Sequence, residues 1–162
     1  MVRLFFCFIL LFSSCDFFRG YDPKLLPKEY SEAFREIRKI KPVPDSPFFN
    51  NGDYWQTPLE TLKRKAGDCE DLAFLLEYKL KQRDLNVIVK FGKSHISSKD
   101  NHAWCEATNK NGDRIVMDPF FGIWSKNPKK DFFIAYEELP LAIIIKMIDY
   151  EIRLKEESGE IL

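Results

Sequence analysis

The sequence has no excess of charge of either sign and no long hydrophobic segment. Lysine plus arginine and aspartate plus glutamate each number 25 among 162 residues. Because there is neither a net electrostatic field nor a block of like charges, we predict no nucleic-acid partner. The longest apolar run is too short for a bilayer span, which needs about 20 residues. The length suits one hydrophobic core, so one domain is predicted.

An apolar run at residues 4–12, LFFCFILLF, follows a short basic start and is typical of a signal peptide. The next three residues, SSC, resemble the lipobox of bacterial lipoproteins, in which the cysteine is lipidated. We therefore predict a signal peptide at residues 1–14 and lipidation of Cys15. The alternatives are a cleaved signal peptide without lipid, or a buried N-terminal helix of a cytoplasmic protein.

The predicted lipid places the mature chain outside the cytoplasm, anchored to a bacterial membrane in the periplasm or at the cell surface. Residues 15–26 are then a tether, and residues 27–162 form the folded domain. The membrane is thus an expected partner through the anchor alone.

Two helix signals precede the central cysteine. Apolar spacing predicts a first helix at residues 28–40, followed by a loop rich in proline and asparagine. Residues 57–60, TPLE, form a capping box with proline at the first helical position. A short helix should begin there and end near Gly67, a residue that tolerates the left-handed conformation.

The stretch GDCED surrounds Cys69 with three carboxylates. Asp68 is predicted to cap a second helix, with Asp71 three residues later completing the cap. Cys69 then occupies the first helical turn and shares a buried face with Leu72, Ala73, Leu76 and Leu80.

The second half of the sequence changes to a β pattern. Residues 86–91 read as a strand, 92–101 as a polar loop, and 102–108 with 114–118 as a hairpin. Residues 141–155 read as a helix that should cover the core with the stripe of Leu141, Ile144, Ile145, Ile148 and Ile152.

The hairpin allows two registers. A two-residue turn at 111–112 would put His102 and Asp118 on opposite faces. A three-residue loop at 110–112, with a left-handed glycine, would place Trp104 opposite Asp118. His102 would then be a diagonal neighbour of Asp118 on the same face. The backbones of diagonal neighbours are about 7 to 8 Å apart, so the two side chains could form a hydrogen bond.

Two of the four cysteines remain for chemistry, because Cys7 leaves with the signal and Cys15 carries the lipid. A disulfide between Cys69 and Cys105 is the simplest expectation outside the cytoplasm. The three-residue register turns Cys105 away from His102, which disfavours this disulfide if Cys69 meets His102. It also disfavours a zinc site built from His102 and Cys105.

Cys69 at a helix start, with His102 and Asp118 on adjacent strands, matches the nucleophile, base and orienting carboxylate of a thiol hydrolase. The segments DYWQTPLETLKRKAGDCEDLA, NHAWCEA and VMDPFFG resemble the bacterial transglutaminase-like cysteine peptidases. The resemblance implies an α+β fold with a transglutaminase-like, papain-like core, in which the nucleophile helix packs on a small antiparallel sheet. It also assigns the catalytic roles to Cys69, His102 and Asp118.

The same resemblance associates the acidic residues around the nucleophile with calcium, which would be held by Asp68, Glu70 and Asp71. Three anions raise the pKa of a thiol, and a bound cation or an ion-paired lysine or arginine would oppose them. No cofactor is needed for the chemistry itself. The alternative is that Asp68 and Asp71 only cap the helix.

An oxyanion hole needs two hydrogen-bond donors, and the backbone N–H of Cys69 is the first. The second is the indole of Trp55 or the amide of Gln56. The expected function is cleavage of peptide bonds in a protein substrate, such as a cell-surface protein, through a thioester. The alternatives are transfer of the acyl group to an amine, and a binding module without catalysis.

Overall fold

The computed structural model describes residues 25–44 and 54–160. The predicted signal peptide, the lipidation site at Cys15 and most of the tether lie outside these residues. Within them, no helix combines the length and apolar character needed to cross a membrane.

Four helices and seven strands make up the described ranges. The helices are α1 (Lys28–Ile37), α2 (Pro58–Arg64), α3 (Cys69–Lys81) and α4 (Leu141–Ser158). The strands are β1 (Lys41–Pro42), β2 (Ala66–Gly67), β3 (Val87–His95), β4 (His102–Thr108), β5 (Arg114–Asp118), β6 (Ile123–Lys126) and β7 (Phe132–Ala135). Helices that flank a run of antiparallel strands confirm the predicted α+β class.

Helix α2 begins as predicted but ends earlier. Thr57 Oγ1 accepts a hydrogen bond from the Glu60 amide, and the Glu60 carboxylate accepts one from the Thr57 amide at 2.8 Å. Lys65, at φ 56°, takes the left-handed position that was predicted for Gly67. The left-handed residue is thus two positions before Gly67, which lies in β2 and pairs in parallel with β1. Glycine is required there because an added Cβ would lie 2.7 Å from the Cβ of Asp71.

Helix α3 begins with the predicted cap. Asp68 is the N-cap residue, and its backbone N–H donates to the Asp71 carboxylate at 3.2 Å. The predicted apolar face is buried, with at most 1% exposure at Leu72, Ala73, Leu76 and Leu80. Burial of this face against the sheet fixes the position of the helix start that carries Cys69.

The main sheet has five antiparallel strands in the order β6-β5-β4-β3-β7. Strands β4 and β5 have the predicted bounds, whereas β3 continues to His95 through part of the predicted polar loop. Gly92 is not a loop residue, because β7 passes so close that an added Cβ would meet the carbonyl oxygen of Ile134 at 2.0 Å. Strands β6 and β7 were not predicted.

The two faces of β4 have different partners. Small side chains at Ala103, Cys105 and Ala107 allow α3 to pack closely, and the Cys105 thiol donates to the Ala73 carbonyl at 3.1 Å. The other face carries a second buried cluster of Trp104, Val116 and Phe133. Both described cysteines are free thiols.

The C-terminal helix α4 packs on the core with the face opposite to the predicted one. Ile143 and Tyr150 are buried, and the Tyr150 ring stacks on Phe74 at 4.0 Å. The predicted stripe instead faces solvent, with exposures of 40% to 70% at Leu141, Ile144, Ile145, Ile148 and Ile152. The prediction of core packing was wrong because both sides of this helix are apolar, and the aromatic stack selects the other side.

Candidate active site

The β4–β5 hairpin brings His102 and Asp118 into contact. The strand pairing corresponds to the three-residue loop, which places Trp104 opposite Asp118, and Gly112 has the required positive φ of 80°. His102 Nε2 lies 2.6 Å from Asp118 Oδ2, and both residues are buried. The diagonal contact expected from this register is therefore present.

Two further contacts orient the pair. Asp118 Oδ1 accepts a hydrogen bond from the Phe121 amide at 3.1 Å, so both carboxylate oxygens are engaged. The Phe121 ring lies 5.0 Å from the imidazole and is 56% exposed, which puts the pair just below the surface. Because Nε2 faces Asp118, Nδ1 is the ring nitrogen that remains to accept a proton from a thiol.

Cys69 is the first residue of α3, and its sulfur lies against the start of β4. The backbone N–H of Ala103, the residue after His102, is near enough to the sulfur to lower the pKa of the thiol. The thiol itself donates to Glu70 Oε2 at 2.9 Å rather than to His102. Alternation along β4 directs the Ala103 side chain towards α3 and the His102 ring towards the other face.

The environment of Cys69 keeps the thiol protonated. Burial raises its pKa, the Glu70 carboxylate raises it further by charge and by accepting the S–H bond, and Asp68 adds to the effect. The Ala103 amide acts in the opposite direction, because it stabilises the thiolate. The resting thiol is therefore a poor nucleophile until the negative charge beside it is offset.

Asp71 connects the start of α3 to the segment that precedes α2. Its fully buried carboxylate accepts a hydrogen bond from the Gln56 backbone N–H at 2.6 Å and another from the Gln56 side-chain amide. This link brings Gln56, a predicted oxyanion donor, to the same helix end as Cys69. The same link uses one hydrogen of the Gln56 side-chain amide, the group that was predicted to donate to the oxyanion. Among the described residues, Gln56 Oε1 has no hydrogen-bond partner.

Trp55, the other predicted donor, packs as a core residue. Its ring is 4% exposed and stacks on Phe91 at 5.0 Å, with Phe74 at 5.5 Å. Its carbonyl accepts a hydrogen bond from Arg153 of α4 at 2.6 Å. Sequence reasoning missed this role of Arg153, because 98 residues separate the two partners and no local pattern connects them.

The predicted calcium ligands do not form a ready ligand set. In the described part of the chain, no three His, Cys, Asp or Glu side chains converge as a metal site. Asp71 is committed to Gln56 and to the helix cap, and Glu70 accepts the thiol hydrogen bond. Asp68 and Glu70 are thus the carboxylates that raise the pKa of the thiol, whereas Asp71 holds Gln56 and caps the helix.

Similar solved structures exist, although a scan against protein-family models and a search of curated proteins found no match. Legionella pneumophila LapG, in an EGTA-treated form, aligns with a TM-score of 0.59 at 14% identity over 77% of each chain. A second LapG structure gives 0.59 at 15% identity, covering 77% of this chain and 75% of LapG. Calcium-bound LapG aligns with a TM-score of 0.51 at 14% identity, covering 74% of this chain and 78% of LapG. The chain therefore shares the fold of LapG, with α3 packed on a small antiparallel sheet.

Proposed function

We propose that this protein is an exported thiol hydrolase that cleaves peptide bonds of a protein substrate, with Cys69, His102 and Asp118 as its catalytic residues. The observation that carries the proposal is the buried 2.6 Å contact between His102 and Asp118, next to the Ala103 amide, which lowers the pKa of the Cys69 thiol. A core made only for packing has no need of a buried imidazole and carboxylate at this position.

The proposed reaction has two steps. For the reaction, the Cys69 side chain must leave Glu70 and meet the His102 ring, which points to the other face of β4. The thiol then transfers its proton to His102 Nδ1, and the thiolate attacks the scissile carbonyl carbon. The tetrahedral intermediate collapses as His102 returns the proton to the leaving amine, which gives a thioester. His102 then removes a proton from water, whose oxygen attacks the thioester, and collapse releases the acid and restores the thiol. Asp118 orients the ring and stabilises the imidazolium.

The backbone N–H of Cys69 is the proposed first donor to the oxyanion, because the first residues of a helix have no intrahelical acceptor. Trp55 and Gln56 are the proposed sources of the second. The Asp71 link favours Gln56, since it holds that residue at the helix start. One hydrogen of the Gln56 side-chain amide is donated to Asp71, and the other would be donated to the oxyanion.

A cation beside Asp68 and Glu70 is proposed to activate the thiol. Carboxylate oxygens suit calcium, and positive charge there would oppose the two anions that raise the thiol pKa. The fold shared with LapG, which has a calcium-bound structure, supports this choice of metal. Asp71 is not proposed as a ligand, because its hydrogen bonds to Gln56 use its carboxylate.

The location and partners remain proposals from the sequence. The lipid at Cys15 would anchor the enzyme to a bacterial membrane, on the periplasmic side or at the cell surface. A cell-surface protein is then the proposed substrate, because it is within reach of an anchored enzyme.

A second candidate is a binding module without catalysis. It is favoured by one observation, the hydrogen bond from the Cys69 thiol to Glu70, which keeps the sulfur protonated. In this reading, His102 and Asp118 stabilise the hairpin and have no chemical role.

The test compares the proteins shed from cells that carry the unaltered chain, Cys69→Ala or Cys105→Ala. Cys105 is the matched control, since it is a buried thiol that donates to the Ala73 carbonyl and lies three residues after His102 along β4, not at the start of α3. Loss of a shed fragment with Cys69→Ala alone supports the peptidase. Shedding that persists with Cys69→Ala overturns it. Incorporation of an added amine in place of cleavage would identify an amide transferase.

A further inference from the structure

The outer face of α4 is an apolar surface that the rest of the described chain leaves uncovered. Five aliphatic side chains lie on it, each 40% to 70% exposed, namely Leu141, Ile144, Ile145, Ile148 and Ile152. We call these five residues the α4 stripe. At a rise of about 1.5 Å per residue, the stripe extends for about 17 Å. A continuous exposed apolar surface on a soluble domain is typical of an interaction site.

The spacing within the α4 stripe indicates a helical partner. Leu141, Ile145, Ile148 and Ile152 follow intervals of four, three and four residues. This is the a/d pattern by which one helix packs its seam against another. An interface with an extended strand would instead require alternation every second residue.

The charges of α4 are sorted between its two sides. Lys146 lies over the Trp55 ring at 5.8 Å and Arg153 donates to the Trp55 carbonyl, so both cations turn inward. The positions that border the α4 stripe on the outside are acidic and exposed. They are Glu151, Glu156 and Asp149, of which Asp149 is paired with Arg153 at 3.1 Å. The rim of the stripe is therefore mainly negative.

This rim argues against two simple occupants. In a dimer formed through two copies of α4, acidic residues would face acidic residues in both the parallel and the antiparallel arrangement. Helices that lie on anionic membranes carry lysine and arginine on their polar side, which is the opposite pattern. A partner with positive charge beside its apolar seam satisfies both the apolar and the acidic features.

A groove continues the surface beyond Ile152. Lys155, the next position of the heptad pattern, is one of its lining residues. The groove has a volume of about 510 Å³, and its apolar lining comes from Pro58, Leu59, Tyr78 and Leu154. Glu151, Glu157 and Glu160 also line it, so this segment combines apolar and acidic surface as the α4 stripe does.

We propose that the α4 stripe and this groove bind an amphipathic helix of another protein, in which lysine or arginine residues border an apolar a/d seam. The site lies outside the catalytic residues and does not depend on the peptidase proposal. Helix α4 also contacts the segment that precedes α2, which lies beside the catalytic residues. Arg153 donates to the Trp55 carbonyl, and Glu157 accepts a hydrogen bond from Thr57 Oγ1 at 2.6 Å.

The test uses two synthetic helical peptides of about 21 residues, both with leucine at a and d. One carries lysine at e and g, and its twin carries glutamate there. Binding to the full chain is followed by fluorescence anisotropy at about 0.15 M salt, where charges beyond about 8 Å are screened. We expect the lysine peptide to bind at least tenfold more tightly than its twin, and Ile148→Asp to weaken it at least tenfold. Ile88→Asp is the matched control, because Ile88 is 44% exposed and lies on β3.

Charge reversal provides a variant that keeps the apolar surface intact. Glu151→Lys combined with Glu156→Lys, which leaves the pair of Asp149 and Arg153 intact, should shift the preference towards the glutamate peptide. Equal binding of the twins, or an unchanged preference in this variant, would overturn the proposal. Sedimentation velocity that shows a dimer dispersed by Ile148→Asp would assign the surface to a second copy. Binding to phosphatidylglycerol vesicles that Ile148→Asp abolishes would assign it to a lipid surface, and either result would also reject the proposal.

Discussion

Glu70→Gln removes the negative charge to which the Cys69 thiol donates its hydrogen bond, and it should convert a sluggish thiol into a more reactive one. The sulfur and Glu70 Oε2 are 2.9 Å apart. Even in water-like surroundings, two unit charges at that distance repel by about 1.4 kcal/mol. This corresponds to a fall of about 1 in the thiol pKa, and partial burial enlarges the effect.

The expected rate follows from that change. Below its pKa the thiolate fraction rises about tenfold for each fall of 1 in pKa, while the intrinsic nucleophilicity falls with a Brønsted coefficient of about 0.4 to 0.5. Glu70→Gln should therefore speed alkylation of Cys69 by at least about threefold at pH 7.5. Because burial and two carboxylates raise the pKa, the unaltered thiol should react faster with each increase in pH and show no plateau up to about pH 9.

The assay is iodoacetamide labelling in EGTA, quantified on the peptide that contains Cys69. EGTA ensures that no calcium offsets the Glu70 charge. Glu36→Gln is the control, because Glu36 is bound at 2.7 Å to Lys79, near the other end of α3 from Cys69, and should leave the rate unchanged. An unchanged or slower rate in Glu70→Gln, with the fold intact by circular dichroism, would refute the role assigned to this carboxylate.

Three further predictions concern the surroundings of Cys69. Calcium at millimolar concentration should speed Cys69 labelling and EGTA should reverse the gain, whereas a rate independent of both would contradict the proposed cation. Gly67→Ala should lower the free energy of unfolding, measured in urea, by about 1 to 3 kcal/mol, since the new Cβ would overlap Asp71. Gly112→Ala is the control. Nothing lies within 4 Å of that position, so the variant should lower the free energy of unfolding by only about 1 kcal/mol because of the left-handed φ. Asp71→Ala should cost about 3 kcal/mol or more by leaving buried Gln56 donors unpaired, and a loss below about 1 kcal/mol would show that the link is not structural.

The elements around Cys69 follow from local rules and were predictable. Thr57 and Glu60 form a reciprocal cap within four residues, and Asp68 and Asp71 repeat the arrangement at the next helix. Such caps depend only on backbone donors in the first turn, so they can be read from neighbouring side chains. The hairpin was limited to two registers by its turn residues, and the contact between His102 and Asp118 required one of them.

Other contacts could not be read from the sequence because their partners are distant along the chain. Asp71 is hydrogen-bonded to Gln56 15 residues away, and Arg153 of α4 to the carbonyl of Trp55. Gly92 carried a loop signal, yet it is a strand residue that β7 approaches closely. These contacts depend on which elements pack together, and loop closure and burial decide that packing only when the whole chain folds.

The sequence by itself determined where the helix of Cys69 begins, which residues cap it, and that His102 and Asp118 can share a face of a hairpin, because these features arise from interactions across a few residues. Only the tertiary structure decided that the thiol donates to Glu70, that Asp71 holds Gln56, and that α4 turns the predicted stripe outward. The physical reason is that packing chooses among several locally acceptable faces and partners. Here the stack of Tyr150 on Phe74 made that choice for α4.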